Sequence, residues 1–143
     1  MFLAFSNRRA GYSMKYPEGW AQRGSGQLVT FKDKNNLVRI IVSRGQTPSI
    51  ASVAAAMKRL AGSTPSLRFA APTSVPLPGG PALKVVYSTR SAPNPVTGKR
   101  VDLVVDRYYL SHAGKVAVVD LGTPKGVDNV DAYRLMIESF RWR

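Results

Sequence analysis

Few side chains in this sequence have the type and spacing to do chemistry. His112 is the only histidine and sits in the tetrapeptide Ser111-His112-Ala113-Gly114, which reads as a turn. A general base needs an orienting partner and a metal ion needs further ligands, and no motif around His112 supplies either. Asp102, Asp106 and Asp120 fall on two adjacent predicted strands and can share a face. With His112 they are the candidates for a metal site, and weak ones: residues four apart on a strand lie ~13 Å from each other, too far to ligate one ion together. Salt bridges to Arg100, Arg107 or Lys115 are their expected fate. Glu18 and Glu138 are the only glutamates and are remote in sequence, so the paired carboxylates of a glycosidase find no support. No serine stands in G-x-S-x-G, and both phosphate-binding glycine patterns, G-x-G-x-x-G and G-x-x-x-x-G-K, are missing. The chain has no cysteine, which excludes disulfides, thiol catalysis and thiolate metal sites. No catalytic residue and no cofactor is expected, and the chain is read as non-enzymatic.

Charge is the stronger signal. Twenty-one Lys and Arg stand against eight Asp and Glu, a net +13, enough to attract polyanions. The cations are spread along the chain, which predicts a generally basic surface and argues against a disordered basic tail. Loops on a rigid scaffold commonly carry binding, so Lys32, Lys34, Lys99 and Arg100 are the candidate partner-binding residues, together with the Pro-rich link 72–81 and the turn 92–100. The expected partner is a membrane-associated protein or an anionic envelope surface, where each basic residue can contribute ~1 kcal/mol. The alternative is a nucleic-acid-binding domain. It rests on the pI near 10.7 alone, because no helix-turn-helix, RNP or KH signature is present.

The elements that must position these groups can be read from periodicity. At 143 residues and 44% hydrophobic content the chain suits a single domain, here 11–143 behind an extension at 1–10. Runs such as 37–42 and 116–121 fall far short of the ~20 residues that cross a bilayer. The opening "MFLAF" is too short for the apolar region of an export signal. Strands are predicted at 13–16, 27–32 and 37–44 as an antiparallel meander, then at 82–90, 100–110 and 115–121, with "SHAG" closing a hairpin. On the fifth, Val101, Leu103 and Val105 form the core face and Asp102, Val104 and Asp106 the other. One helix follows Thr47 as cap and Pro48 at its first position and stops before Gly62; a second follows Asp128 as cap. The five-proline segment 63–81 reads as irregular, with at most a short strand at 67–70. The order βββ-α-βββ-α gives a mainly antiparallel sheet of about six strands with helices packed on it, an α+β fold.

Three segments, "GYSMKYPEGW", "VTFKDKNNLVRIIVS" and "YYLSHAGKVAVVDLGTPKGVDNVDAYRLMIESFRW", together resemble the PsbP-like family. Its members include extrinsic lumenal subunits of photosystem II, bacterial exported or lipid-anchored proteins, and a Ran-binding nuclear import factor that shares the fold. The similarity runs from Gly11 to Trp142. It implies an α/β/α sandwich and an extracytoplasmic setting, periplasmic, secreted or lipid-anchored, with the export signal outside the sequence given. In such a chain the corner Tyr16-Pro17-Glu18-Gly19-Trp20 closes the first hairpin, and its aromatic rings cap one end of the core.

Overall fold

A computed structural model describes all residues, 1–143. Eleven strands and two helices follow one another as β1 (Phe2–Asn7), β2 (Tyr12–Pro17), β3 (Ala21–Arg23), β4 (Leu28–Asp33), β5 (Asn36–Arg44), α1 (Ile50–Ser63), β6 (Arg68–Phe69), β7 (Thr73–Leu77), β8 (Gly80–Arg90), β9 (Asp102–His112), β10 (Lys115–Pro124), α2 (Val130–Ser139) and β11 (Arg141–Trp142). They build two antiparallel sheets. One has three strands in the order β1-β2-β11. The other has eight, with the path β3-β4-β5-β10-β9-β8-β6 and β7 paired to β8. The α+β architecture with two helices is as the periodicity predicts.

Strand alternation fixes the layers. Along β10, Ala117, Val119 and Leu121 join one buried cluster, whereas Asp120 points to the opposite face. The first face is covered by α2, through Tyr133, Met136 and Ile137, and by the small sheet, through Tyr12 and Met14. The second is covered in part by α1, whose Val53 and Met57 pack on Val85, Tyr87 and Val105. The two helices therefore sit on opposite faces of the large sheet. Strand β9 feeds both cores, sending Val105 to one and Tyr108 and Leu110 to the other, so the single core face expected for it is half of what it buries.

The β8-β9-β10 meander forms as alternation predicts. Register pairs Lys115 with His112, leaving Ala113 and Gly114 as a two-residue loop with φ of 50° and 77°. Positive φ at both positions is the type I′ geometry, whose twist matches that of the flanking strands.

Other expectations are corrected. The Tyr16–Trp20 corner does not close a hairpin: β2 belongs to the small sheet and β3 to the large one, so the corner carries the chain between sheets. The meander at that point is β3-β4-β5. The corner's rings do pack: Tyr16 stacks on Phe31 at 4.4 Å and Trp20 meets Tyr133 edge-on at 6.2 Å. Residues 1–10 carry strand β1, paired along its whole length with β2. The proline-rich link also forms β7, an edge strand, where Pro76 can sit without leaving an inner ladder bond unmade.

Helix α1 starts two residues later than expected. Its N-cap is Ser49, which accepts from Ser52 N at 3.0 Å, while Ser52 Oγ accepts from Ser49 N at 2.8 Å. This reciprocal box satisfies two otherwise orphaned amides. Ser49→Ala is expected to cost about 1 kcal/mol, read as a lower urea midpoint at unchanged slope; Thr47→Ala should leave the midpoint where it is. For α2 the N-cap is Asn129, without a side-chain capping bond, and Asp128 Oδ1 accepts instead from Val130 N at 3.0 Å.

Candidate functional site

Asp120 is the one buried acid, 5% exposed. Register places it directly opposite Arg39 on β5 and Arg107 on β9. Arg107 clasps both carboxylate oxygens, at 2.7 and 2.8 Å, Arg39 Nη2 adds a third bond at 2.8 Å, and the Tyr87 hydroxyl lies 3.4 Å away. The Arg107 guanidinium also lies over the Tyr87 ring at 5.2 Å. Burial works against the charge of Arg107, and the Asp120 carboxylate outweighs it, holding the guanidinium charged above its ordinary range. Of the bridges expected to Arg100, Arg107 or Lys115, the one to Arg107 is present, made by Asp120; Arg39 joins it from 81 residues away. This is a packed charge network under α1, with its acceptors already occupied.

The other acids on these strands do not gather with it. Asp102 reaches Arg90 at 3.9 Å on an exposed surface, and Arg100 is not its partner. Asp106 makes no ion pair. His112 is exposed, stacked on Trp142 at 6.1 Å. No three His, Cys, Asp or Glu residues come close enough to hold a metal ion.

Strand register sorts the charges between the two ends of the large sheet. Lys34, at the tip of the β4-β5 hairpin, and the loop 91–101 with Lys99 and Arg100 share one end, and Lys32 lies on β4 near it. All four are exposed. That end also holds Asp33, Asp102, Asp128 and Asp131, so its basicity is diluted.

The opposite end is marked by the β9-β10 hairpin. Arg44 pairs with Lys115, and Gly45 N donates to Gly114 O at 3.0 Å. Lys115 Nζ donates to Ala10 O at 3.0 Å, bringing in the β1-β2 turn with Arg8 and Arg9. Arg143 N donates to Gly11 O at 2.7 Å, so Arg141, Trp142 and Arg143 close the group. Six cations, Arg8, Arg9, Arg44, Lys115, Arg141 and Arg143, thus come to the same end of the molecule as His112 and Trp142. Glu138, on the last turn of α2, lies beside the group, its backbone oxygen accepting from Arg141 Nη1 at 2.7 Å, and no member of the group forms a salt bridge. Sequence reasoning missed this cluster because its members come from four distant segments; "NRR" at 7–9 was its one visible trace.

Between α2 and the large sheet lies a cavity of about 530 Å³. Its floor carries Lys84, Val104, Asp106 and Tyr108, and its α2 wall carries Val130, Arg134, Ile137 and Glu138. Tyr133 closes its inner side, its hydroxyl donating to Gly122 O at 2.6 Å.

No protein-family model matches the sequence, and no curated protein does. Solved structures do. The solution structure of cyanobacterial PsbP (CyanoP) from Synechocystis sp. PCC 6803 matches with a TM-score of 0.66 at 16% identity, covering 99% of this chain and 92% of that one. A crystal structure from Bacteroides thetaiotaomicron matches at 0.62 and 14% identity over 98% of this chain; the chain spans 48% of its length. LpqN of Mycobacterium tuberculosis, described as involved in cell envelope biogenesis, matches at 0.52 and 15% identity, covering 99% and 90%. Identities this low speak for architecture alone, and on that ground the chain has the PsbP-like fold.

Proposed function

We propose that the chain is a non-catalytic, extracytoplasmic docking domain that binds an anionic envelope component, or a membrane-associated protein presenting acidic groups, through the acid-poor end around Trp142. The observation that carries this reading is the cluster of Arg8, Arg9, Arg44, Lys115, Arg141 and Arg143, none of which forms an ion pair; Lys115, Arg141 and Arg143 hydrogen-bond to oxygens of the chain itself. Five of the six are arginines, whose planar fork suits phosphate and carboxylate groups. Trp142 stands among them, with Lys115 Nζ 5.3 Å from its ring. The fold's likeness to an envelope-biogenesis protein supports the compartment, and no helix is long and apolar enough to cross a membrane. Asp120, the one buried carboxylate, is engaged by two arginines, which leaves it unsuited to acid-base work.

The test compares two charge-reversed variants on phosphatidylglycerol vesicles at low salt. Reversing Arg8, Arg9 and Arg44 to Glu is expected to weaken binding about a hundredfold, at roughly 1 kcal/mol per cation, with the difference shrinking as salt is added. Reversing Lys32, Lys34, Lys99 and Arg100 should matter less, although it changes more charges. An equal or larger loss from that second variant would place the contact at the other end. Tight retention of an unrelated DNA fragment, with a steeper salt slope than the vesicles show, would favour the nucleic-acid reading instead.

A further inference from the structure

The cavity beside α2 gathers charges of both signs. In a chain of net +13 with eight acids, two of those acids, Asp106 and Glu138, line this one cavity, among Lys84, Arg134 and Lys125. None of the five forms an ion pair. The floor explains why. Lys84 lies opposite Tyr108 and Val86 opposite Asp106, so Lys84 and Asp106 are diagonal neighbours, ~7–8 Å apart at Cα. Lys84 Nζ rests over the Tyr108 ring at 5.5 Å, an attraction of cation to ring face that directs it away from the carboxylate. On the α2 wall Arg134 precedes Glu138 by four residues, the weaker order for a helical ion pair. The cavity therefore offers separated charges of both signs over an apolar lining that includes Leu77, Val104, Leu121, Val130 and Ile137.

We propose that this cavity binds a small zwitterion with an apolar body, an amino acid or dipeptide with free amino and carboxyl groups. A ligand of single charge would gain one contact and face a like charge nearby, whereas a dipolar one satisfies both. Asp106 takes the ammonium group, Lys84 takes the carboxylate, and the aliphatic lining takes the side chains. A volume of about 530 Å³ lies within the range of small-molecule sites, ~300–1,000 Å³, and is ample for a dipeptide. This site adjoins the arginine-rich end only at Glu138, which neither proposal uses as a contact, so either can fail without the other.

The probe is leucyl-leucine, titrated into the isotopically labelled full chain and followed by amide NMR shifts. Saturable shifts are expected at Lys84, Asp106, Thr123 and 125–130. Asp106→Asn and Lys84→Gln should each weaken binding at least tenfold while their spectra elsewhere stay as in the parent, which separates a lost contact from a lost fold. N-acetyl-leucyl-leucine amide, which has neither charge, should give no saturable shift. Equal binding of the capped peptide, no saturation with leucyl-leucine into the millimolar range, or shifts centred on Arg9 and Trp142 would each overturn the proposal.

Discussion

Asp120→Ala is expected to remove about 3–5 kcal/mol of stability, a large part of the whole for a domain of this size. The loss comes less from the bonds themselves than from what remains. Arg107, whose side chain is 14% exposed, cannot shed its proton or reach water freely, so its charge stays buried without an opposite partner. Arg39, at 38%, can turn outward, and Arg39→Met should cost only about 1 kcal/mol, in the range of a partly exposed pair. Asp120→Asn should fall between Arg39→Met and Asp120→Ala, since an amide keeps an acceptor for one guanidinium and supplies no negative charge. Urea unfolding monitored by tryptophan fluorescence reads all three. A loss below about 1 kcal/mol for Asp120→Ala would mean that the network is solvated and contributes as an ordinary surface pair.

That network shows where sequence reading reaches and where it stops. The strands that build it are legible: alternation marks β9 and β10, and "SHAG" marks the hairpin between them, although as a four-residue link, whereas the structure closes it through Ala113 and Gly114 alone. With that two-residue loop, Asp120 falls opposite Arg107; the four-residue link would have put Val118 there. Arg39 is not legible in this way, because its row depends on β5 lying beside β10, a neighbour relation across 70 residues that no local pattern encodes. The same holds for the arginine-rich end, assembled from residues 8–9, 44, 115 and 141–143. Composition gives the excess of cations, and only strand order reveals that four of the eight acids, Asp33, Asp102, Asp128 and Asp131, lie at the other end. The corner at Tyr16–Trp20 failed differently. Its turn chemistry and aromatic packing were readable, but a turn that reverses the chain within a sheet and one that moves it between sheets use the same residues. The α2 cavity was invisible because Lys84, Asp106 and Arg134 each look like solvated surface until a helix is laid beside the strands.

Tyr12→Phe is expected to leave stability at pH 7 unchanged or slightly higher and to raise it by about 2–3 kcal/mol near pH 12. Tyr12 is 1% exposed, stacked on Phe140 at 5.3 Å, and its hydroxyl has no hydrogen-bond partner. An unpaired buried hydroxyl costs free energy, so its removal at neutral pH loses no bond. Burial pushes the Tyr12 phenol up to about 12 from an ordinary 10, with the nearby Asn7 side chain opposing it weakly and too poorly aligned to count as a hydrogen bond. Burial does the same for Tyr133, and for Tyr87 with the Asp120 carboxylate adding to it. Between pH 10 and 12 the unfolded chain therefore gives up these protons while the folded chain keeps them. The stability they support is intact below pH 10 and declines as pH rises through that window. Two pH units correspond to about 2.7 kcal/mol per tyrosine, and three such groups together approach the stability of a typical domain. Thermal melts at pH 7, 11 and 12, beside tyrosinate absorbance, should show the parent chain unfolding over this interval and ionising as it unfolds. Tyr12→Phe should shift the loss to higher pH, whereas Tyr133→Phe, which gives up the bond to Gly122 O, should gain at pH 12 only after losing about 1 kcal/mol at pH 7. A clear loss from Tyr12→Phe at neutral pH would show that its hydroxyl is hydrogen-bonded after all, and the alkaline argument would then rest on Tyr87 and Tyr133 alone.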